Sequence, residues 1–270
     1  MRRLFLVLLL ACSVNAAQAG RGCEVKKPSA QSFVSALKLA ENTRSALEAS
    51  NAEVAIVGRV GQDLSAYGLR YSHVAYVWRD HPKGRWLVVH ELNRCGTASS
   101  ALFDQGLANF FLDDLFAYEA VVMIPSARTQ SRIAAALASN LGNRMHSSRY
   151  NMLAYPFSTE YQNSNQWVLE TYAASAGDSA IQDRGRAQAW LAYAGYSPSM
   201  LFIPATKRLG ARLFSANISF DDQPFAKRAA GRIETVTVES ILSFIRQREP
   251  QARHGHHRLP ISNTGVRPQF

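Results

Sequence analysis

The stretch Tyr71-Ser72-His73-Val74-Ala75-Tyr76-Val77-Trp78-Arg79-Asp80-His81-Pro82-Lys83-Gly84-Arg85-Trp86-Leu87-Val88-Val89-His90-Glu91-Leu92 decides the fold class. β-Branched and aromatic residues fill both halves, and residues 80–84 carry turn chemistry between them, so the pattern predicts a β-hairpin. Upstream, residues 54–60 are another β-branched run, and residues 58–64 then lead to a surface loop. Before that, residues 31–50 place Phe33, Leu37, Ala40 and Leu47 on one face of a helix. Downstream, residues 120–124 read as a short strand ended by Pro125. Ser126 caps a helix reaching about Leu141, with Gly142 as its stop. Residues 163–176 and 182–194 are further helices, closed by Gly177 and Gly195.

Phe103, Phe110, Phe111, Leu112, Leu115 and Phe116, interrupted by Asp104, Asp113 and Asp114, read as a buried amphipathic helix. Adjacent carboxylates on a helix diverge, which argues against Asp113 and Asp114 as an acid/base pair. Residues 200–204, 213–220 and 232–238 read as extended, and 239–248 as a last helix. The expectation is one α+β domain over residues 20–249, an antiparallel sheet packed against helices. From Pro250 to the end the chain turns polar and aperiodic, which predicts a disordered tail over 250–270.

The chain has 270 residues, 47% hydrophobic and 19% charged, enough for a sizeable core and too apolar for a disordered chain. Its net charge of +10 comes from 30 basic and 20 acidic residues. The basic residues are scattered and no recognition motif accompanies them, so nucleic acid is not an expected partner. No phosphate-binding glycine loop or haem-attachment pattern occurs, and no cofactor is expected. His254-Gly255-His256-His257 lies in the tail without a cysteine or carboxylate nearby, so no metal site is expected there.

Met1-Arg2-Arg3, the apolar run from Leu4 to Ala11, and Ala17-Gln18-Ala19 before Gly20 form a secretory signal pattern over residues 1–19, cleaved after Ala19. Leu9-Leu10-Ala11-Cys12 resembles a lipobox, the alternative in which Cys12 is lipidated. The apolar run is too short for a permanent span, so the mature chain is expected in the periplasm or outside the cell. Cleavage removes two arginines and no acid, which leaves +8. Cys23 and Cys95 then remain in an oxidising compartment, where a bridge between them is expected. Closing a loop of roughly seventy residues stabilises a domain by about 4 kcal/mol in the chain-entropy model.

Two places combine residues that nucleophilic catalysis needs. His73 sits inside an apolar strand, and the partner strand offers His90 or Glu91 to orient its ring. Asn163-Ser164-Asn165-Gln166 opens a helix, where either Asn163 or Ser164 can cap. A hydroxyl at that end also faces unpaired backbone N–H groups, the arrangement of an oxyanion hole. Asn163, Asn165 and Gln166 are candidate binding residues beside it. Tyr150 and Asn151 are candidates to line the same cleft.

Gly61-Gln62-Asp63-Leu64, Tyr71-Ser72-His73-Val74-Ala75 and Asn163-Ser164-Asn165-Gln166-Trp167-Val168-Leu169-Glu170 carry a resemblance in their order. The chain resembles the circularly permuted papain-like superfamily, which includes NlpC-type cell-wall peptidases and lecithin:retinol acyltransferase-like proteins. More closely, over about residues 21–245, it resembles a family of secreted bacterial proteins of unknown function. The resemblance implies a permuted papain-like fold, His73 as general base, Glu91 or His90 as orienting residue and Ser164 as nucleophile. It implies cleavage or transfer of an amide or ester acyl group, with cell-envelope peptide or lipid as substrate. The chain departs from the superfamily by carrying serine where active members carry cysteine. A serine hydroxyl must lose its proton to the base during attack rather than beforehand. A catalytically silent envelope-binding or scaffold domain on the same fold is the alternative reading.

Overall fold

A computed structural model of the chain describes residues 27–177 and 180–258. The signal segment, Cys12, Cys23 and residues 259–270 of the expected tail lie outside the described residues. In chain order the elements are α1 (Ala30–Ser50), β1 (Val54–Val60), β2 (His73–His81), β3 (Gly84–Asn93), β4 (Ser100–Gly106), α2 (Leu107–Leu112) and β5 (Ala117–Ile124). There follow α3 (Ala127–Ala138), α4 (Leu141–Arg144), α5 (Ser164–Ala176), α6 (Arg184–Tyr193), β6 (Ser199–Phe202) and α7 (Ala205–Phe214). The last are α8 (Phe225–Ala229), β7 (Arg232–Thr235), α9 (Val238–Arg248) and β8 (Arg253–Arg258).

The fold is mixed α+β, built on a six-stranded antiparallel sheet in the order β4-β3-β2-β1-β5-β8. The predicted hairpin is β2–β3, with Tyr76 opposite Val89 and a two-residue turn at Pro82-Lys83. Every residue of β1 is buried, because helices cover both faces of the sheet. Val54, Ile56, Val74, Tyr76 and Met123 pack on one face against Ile133 of α3, Trp167 of α5 and Ile241 of α9. Ala55, Val57, Ala75, Val77 and Val88 pack on the other against Leu39 and Leu47 of α1 and Phe110 of α2. The strand period of two thus sorts one hydrophobic run into two cores. A separate ribbon, β6–β7, has its own small core of Leu201, Ile203, Phe220 and Ile233.

Four local expectations are corrected. The helix expected through Phe103 is instead β4, which pairs Phe103 with His90, followed by the six-residue α2. The open edge of β3 supplies ladder hydrogen bonds that outweigh the apolar spacing, and Phe103 stays 43% exposed. Gly142 does not stop a helix: α3 ends at Ala138 and Gly142 lies within α4. Residues 213–220, expected as a strand or an extended connection, begin inside a helix, since α7 occupies Ala205–Phe214 behind Pro204, whose fixed φ suits a helix start, and the connection starts only at Ser215.

Finally, the polar tail contributes β8, which pairs along the outer edge of β5. An edge strand that buries little has no apolar alternation to reveal it. Polar contacts hold it instead: Glu119 pairs with both Arg258 and Arg70, and the Tyr71 hydroxyl lies 2.8 Å from His256 Nδ1.

Among the described residues no helix is long and apolar enough to cross a membrane. Cys95 lies exposed in the turn after β3.

Trp167 anchors the α5 side of the core. It is fully buried, its ring meets Tyr76 edge-on at 5.8 Å, and its Nε1 donates to the Gly142 carbonyl at 3.0 Å. Trp167→Ala is expected to cost about 3–5 kcal/mol of unfolding free energy, measured by chemical denaturation.

Candidate active site

The first turn of α5 is fixed from three sides. Asn163 is the N-cap, accepting from the Gln166 amide at 2.8 Å, while its Nδ2 donates to Thr235 Oγ1 at 2.9 Å. Asn165 Oδ1 accepts from the Val74 amide at 3.1 Å, and Asn165 Nδ2 reaches the Val236 carbonyl. These bonds tie the helix start to β2 and to the chain leaving β7. Ser164, the first helical residue, is thereby held with Oγ 3.2 Å from His73 Nδ1. The far nitrogen of that ring, Nε2, lies 2.8 Å from His90 Nδ1. Phe110 packs on both imidazoles, at centroid distances of 5.8 and 5.6 Å. Ser164 and His73 are 9% and 8% exposed, and His90 is fully buried.

Burial pushes the His90 imidazole down to about 3, and the Arg59 charge adds to this while Asp113 opposes it. His90 is therefore neutral at ordinary pH. Arg59 stacks over Phe110 at 4.6 Å, donates to the Phe110 carbonyl and pairs with Asp113 at 2.6 Å. Asp113 thus serves an ion pair with Arg59. One proton lies between the two imidazoles, and its place sets the chemistry. With the proton on His73 Nε2, donated to His90 Nδ1, His73 Nδ1 accepts from the Ser164 hydroxyl. With the proton on His90 Nδ1, His73 donates to Ser164 instead and cannot serve as its base. His90 Nε2 has no hydrogen-bond partner among the described residues in either case.

Of the two orienting candidates, the structure places His90 against His73 and sends Glu91 to the opposite face of the sheet. Glu91 is fully buried beside Tyr150, which also adjoins Ser164. Burial pushes the Glu91 carboxyl up to about 8, against lowering by Ser100 and Arg184. Burial likewise raises the Tyr150 phenol, helped by Glu91. Asn151 does not line the site: its Oδ1 accepts from the Leu153 and Ser219 amides and its Nδ2 donates to the Ser219 carbonyl. The Gln166 side chain also turns away, donating to Glu170 at 3.1 Å and to the Pro156 carbonyl. The amides of Ser164 and Asn165 make no hydrogen bond among the described residues, leaving two donors beside Ser164 Oγ. Among the described residues no cluster of three or more His, Cys, Asp or Glu side chains is placed to hold a metal ion.

Sequence reasoning missed Glu170 as the support of this site. Its buried carboxylate accepts from Gln162 at 2.6 Å, Gln188 at 2.7 Å and Arg184 at 2.7 Å. Arg184 also donates to the carbonyls of Thr159 at 3.0 Å and Tyr161 at 2.8 Å, so the segment entering α5 is clamped to α6. The one available signal was Gln162, Gln166 and Glu170 repeating every four residues, a polar spacing that runs from the segment before α5 into the helix.

Glu91 gives a measurable consequence. Between the unfolded value of about 4.5 and the folded value of about 8, the native chain holds a proton that the unfolded chain releases. Stability due to this group is full below that window and falls as pH rises through it. Denaturation at pH 5 and pH 8 is expected to show a decline in the wild type, up to ~1.4 kcal/mol per pH unit, that Glu91→Gln removes.

A family model described as an uncharacterized protein conserved in bacteria (DUF2145) matches residues 46–245. No curated protein and no solved structure matches the chain. The matched span runs from the end of α1 into α9 and includes His73, His90, Glu91, Tyr150 and Ser164. With well over half of its length matched, the chain belongs to this family of uncharacterized proteins conserved in bacteria.

Proposed function

We propose that this protein is an exported hydrolase or acyltransferase on a permuted papain-like fold, acting on amide or ester bonds of the cell envelope. The observation that carries this reading is the chain of contacts from Ser164 Oγ to His73 Nδ1 at 3.2 Å and from His73 Nε2 to His90 Nδ1 at 2.8 Å. Ser164 Oγ attacks the carbonyl carbon while His73 Nδ1 takes its proton. The leaving amine or alcohol then receives that proton as the acyl bond breaks, and water or an acceptor hydroxyl releases the acyl group by the reverse sequence. His90 holds the His73 ring in the tautomer with Nε2 protonated. In this reading the Ser164 and Asn165 amides, at the positive end of α5, are the donors that stabilise the oxyanion. Peptide or lipid of the envelope as substrate rests on the superfamily resemblance, and periplasmic or extracellular location rests on the leader over residues 1–19. A Cys23–Cys95 bridge belongs to the same reading of the compartment.

The second reading, a catalytically silent envelope-binding domain, is favoured by the serine in place of a thiol and by the burial of its hydroxyl. Labelling with a fluorophosphonate, together with turnover of envelope peptides and acyl esters, separates the two. The wild type is expected to label at Ser164, and His73→Ala to lose on the order of 10²- to 10⁴-fold in rate. Equal labelling and equal turnover in both proteins would remove the catalytic claim. Ser164→Cys that then fails to react with thiol reagents at neutral pH would leave only the binding domain.

A further inference from the structure

We propose that the β6–β7 ribbon with α7 and α8 is a docking face for an anionic lipid bilayer. Phe202, Leu209 and Phe225 project from three different elements and are 68%, 62% and 76% exposed. Single exposed apolar residues are ordinary, but these three stand on elements that meet around Gly231. A Cβ on Gly231 would lie 3.1 Å from Phe202 Cε2 and 3.4 Å from Arg208 Nη1, so the Phe202 ring and the residue beside Leu209 meet at one point. The Gly231 amide donates to the Arg228 carbonyl at the end of α8, and Arg228 lies 5.9 Å from the Phe225 ring. The ladder sets Arg232 directly opposite Phe202.

Cations outnumber acids around these tips, and Glu234 of β7 is paired with Lys227. Residues 200–232 hold six basic and two acidic side chains. Asp221 is taken up by Arg212 and Arg228, and Asp222 turns inward to accept from the Tyr155 amide at 2.7 Å. Lys207, Arg208 and Arg232 have no ion pair among the described residues. Lys207 and Arg208 stand in the first turn of α7, which starts at Pro204 without a side-chain cap and has no acid in that turn. Cations there oppose the helix dipole; Arg208 is compensated by donating to the Ile203 carbonyl at 2.6 Å, but no contact among the described residues rewards the position of Lys207. An external anion does. Exposed apolar tips, each with a cation beside it, match a fluid surface whose anionic headgroups rearrange around scattered charges while side chains enter the acyl boundary. The face adjoins the start of α5, since Thr235 and Val236 at the end of β7 receive the Asn163 and Asn165 side chains. The inference does not require Ser164 to be a nucleophile.

The test is co-sedimentation of the full chain, purified as an exporting host processes it, with vesicles of phosphatidylcholine alone or with about a third phosphatidylglycerol. Binding is expected to be at least tenfold tighter to the anionic vesicles and to weaken as salt rises. Lys207→Gln/Arg232→Gln is expected to weaken it on the order of tenfold or more, since each cation contributes separately near such a surface. Phe202→Ser/Leu209→Ser/Phe225→Ser is expected to do the same at high salt, where the apolar contribution dominates. Ser164→Ala is expected to bind as the wild type does, so loss of catalysis and loss of docking are read separately. Equal binding to both vesicles, or unchanged binding by both surface variants with their circular dichroism intact, overturns the proposal. So does sedimentation equilibrium showing that these residues pair two copies of the chain, or equal competition by free inorganic phosphate.

Discussion

The buried carboxylate of Glu170 is the interaction on which the site geometry depends. It lies on the apolar α5, where an uncompensated charge would cost several kcal/mol, so it is surrounded by donors: Gln162, Gln166, Gln188 and Arg184. Three of those donors come from outside α5. The same contacts that make the charge tolerable therefore dock α6 and the segment before α5 onto one helix. Ser164 sits at the end of that assembly, and the Asn163 and Asn165 bonds aim it at β2. A buried ion pair is weak as a source of net stability, but a hub of this kind has few alternative arrangements, and that fixes position.

The second constraint is the alternation of β3. His90 and Glu91 are neighbours in the chain and opposites in space. His90 enters the compartment formed with Phe110, Arg59 and α1, while Glu91 enters the one formed with Tyr150, Ser100 and α5. The group beside His73 is consequently a neutral imidazole, not a carboxylate. A neutral partner orients the ring and selects its tautomer, but stabilises an imidazolium less than a charged carboxylate does. The protonated Glu91, on the Tyr150 side of Ser164, adds no charge of its own beside the hydroxyl.

Much of the framework was legible in the sequence, and the parts that were not share a cause. The β2–β3 hairpin, β1, α1, α3, α5 and α6 follow from periodicity and from caps such as Ser126 and Asn163. β4 and β8 were misread because each takes its conformation from a neighbour's open edge: Phe103 from His90, and residues 253–258 from β5. Neither carries a strand pattern of its own. α7 was hidden because Leu213 and Phe214, its last residues, read as the start of the extended segment over 213–220. In the site, His73, His90 and Ser164 were all identifiable as candidates, whereas Gln166 and Asn151 were misassigned because an amide's partner cannot be read from its neighbours in the chain.

The sequence by itself determined the fold class, the caps that place Ser164 at a helix start, and the inventory of His73, His90, Glu91, Tyr150 and Ser164 from which a site can be built. Only the tertiary structure decided that His90 rather than Glu91 meets His73, that His73 meets Ser164 across 91 residues of chain, and that Glu170 supports them. The physical reason is range. Turn chemistry, capping and hydrophobic period act over a few residues, whereas the choice of partner for a buried polar group depends on which face each strand presents and what packs against it.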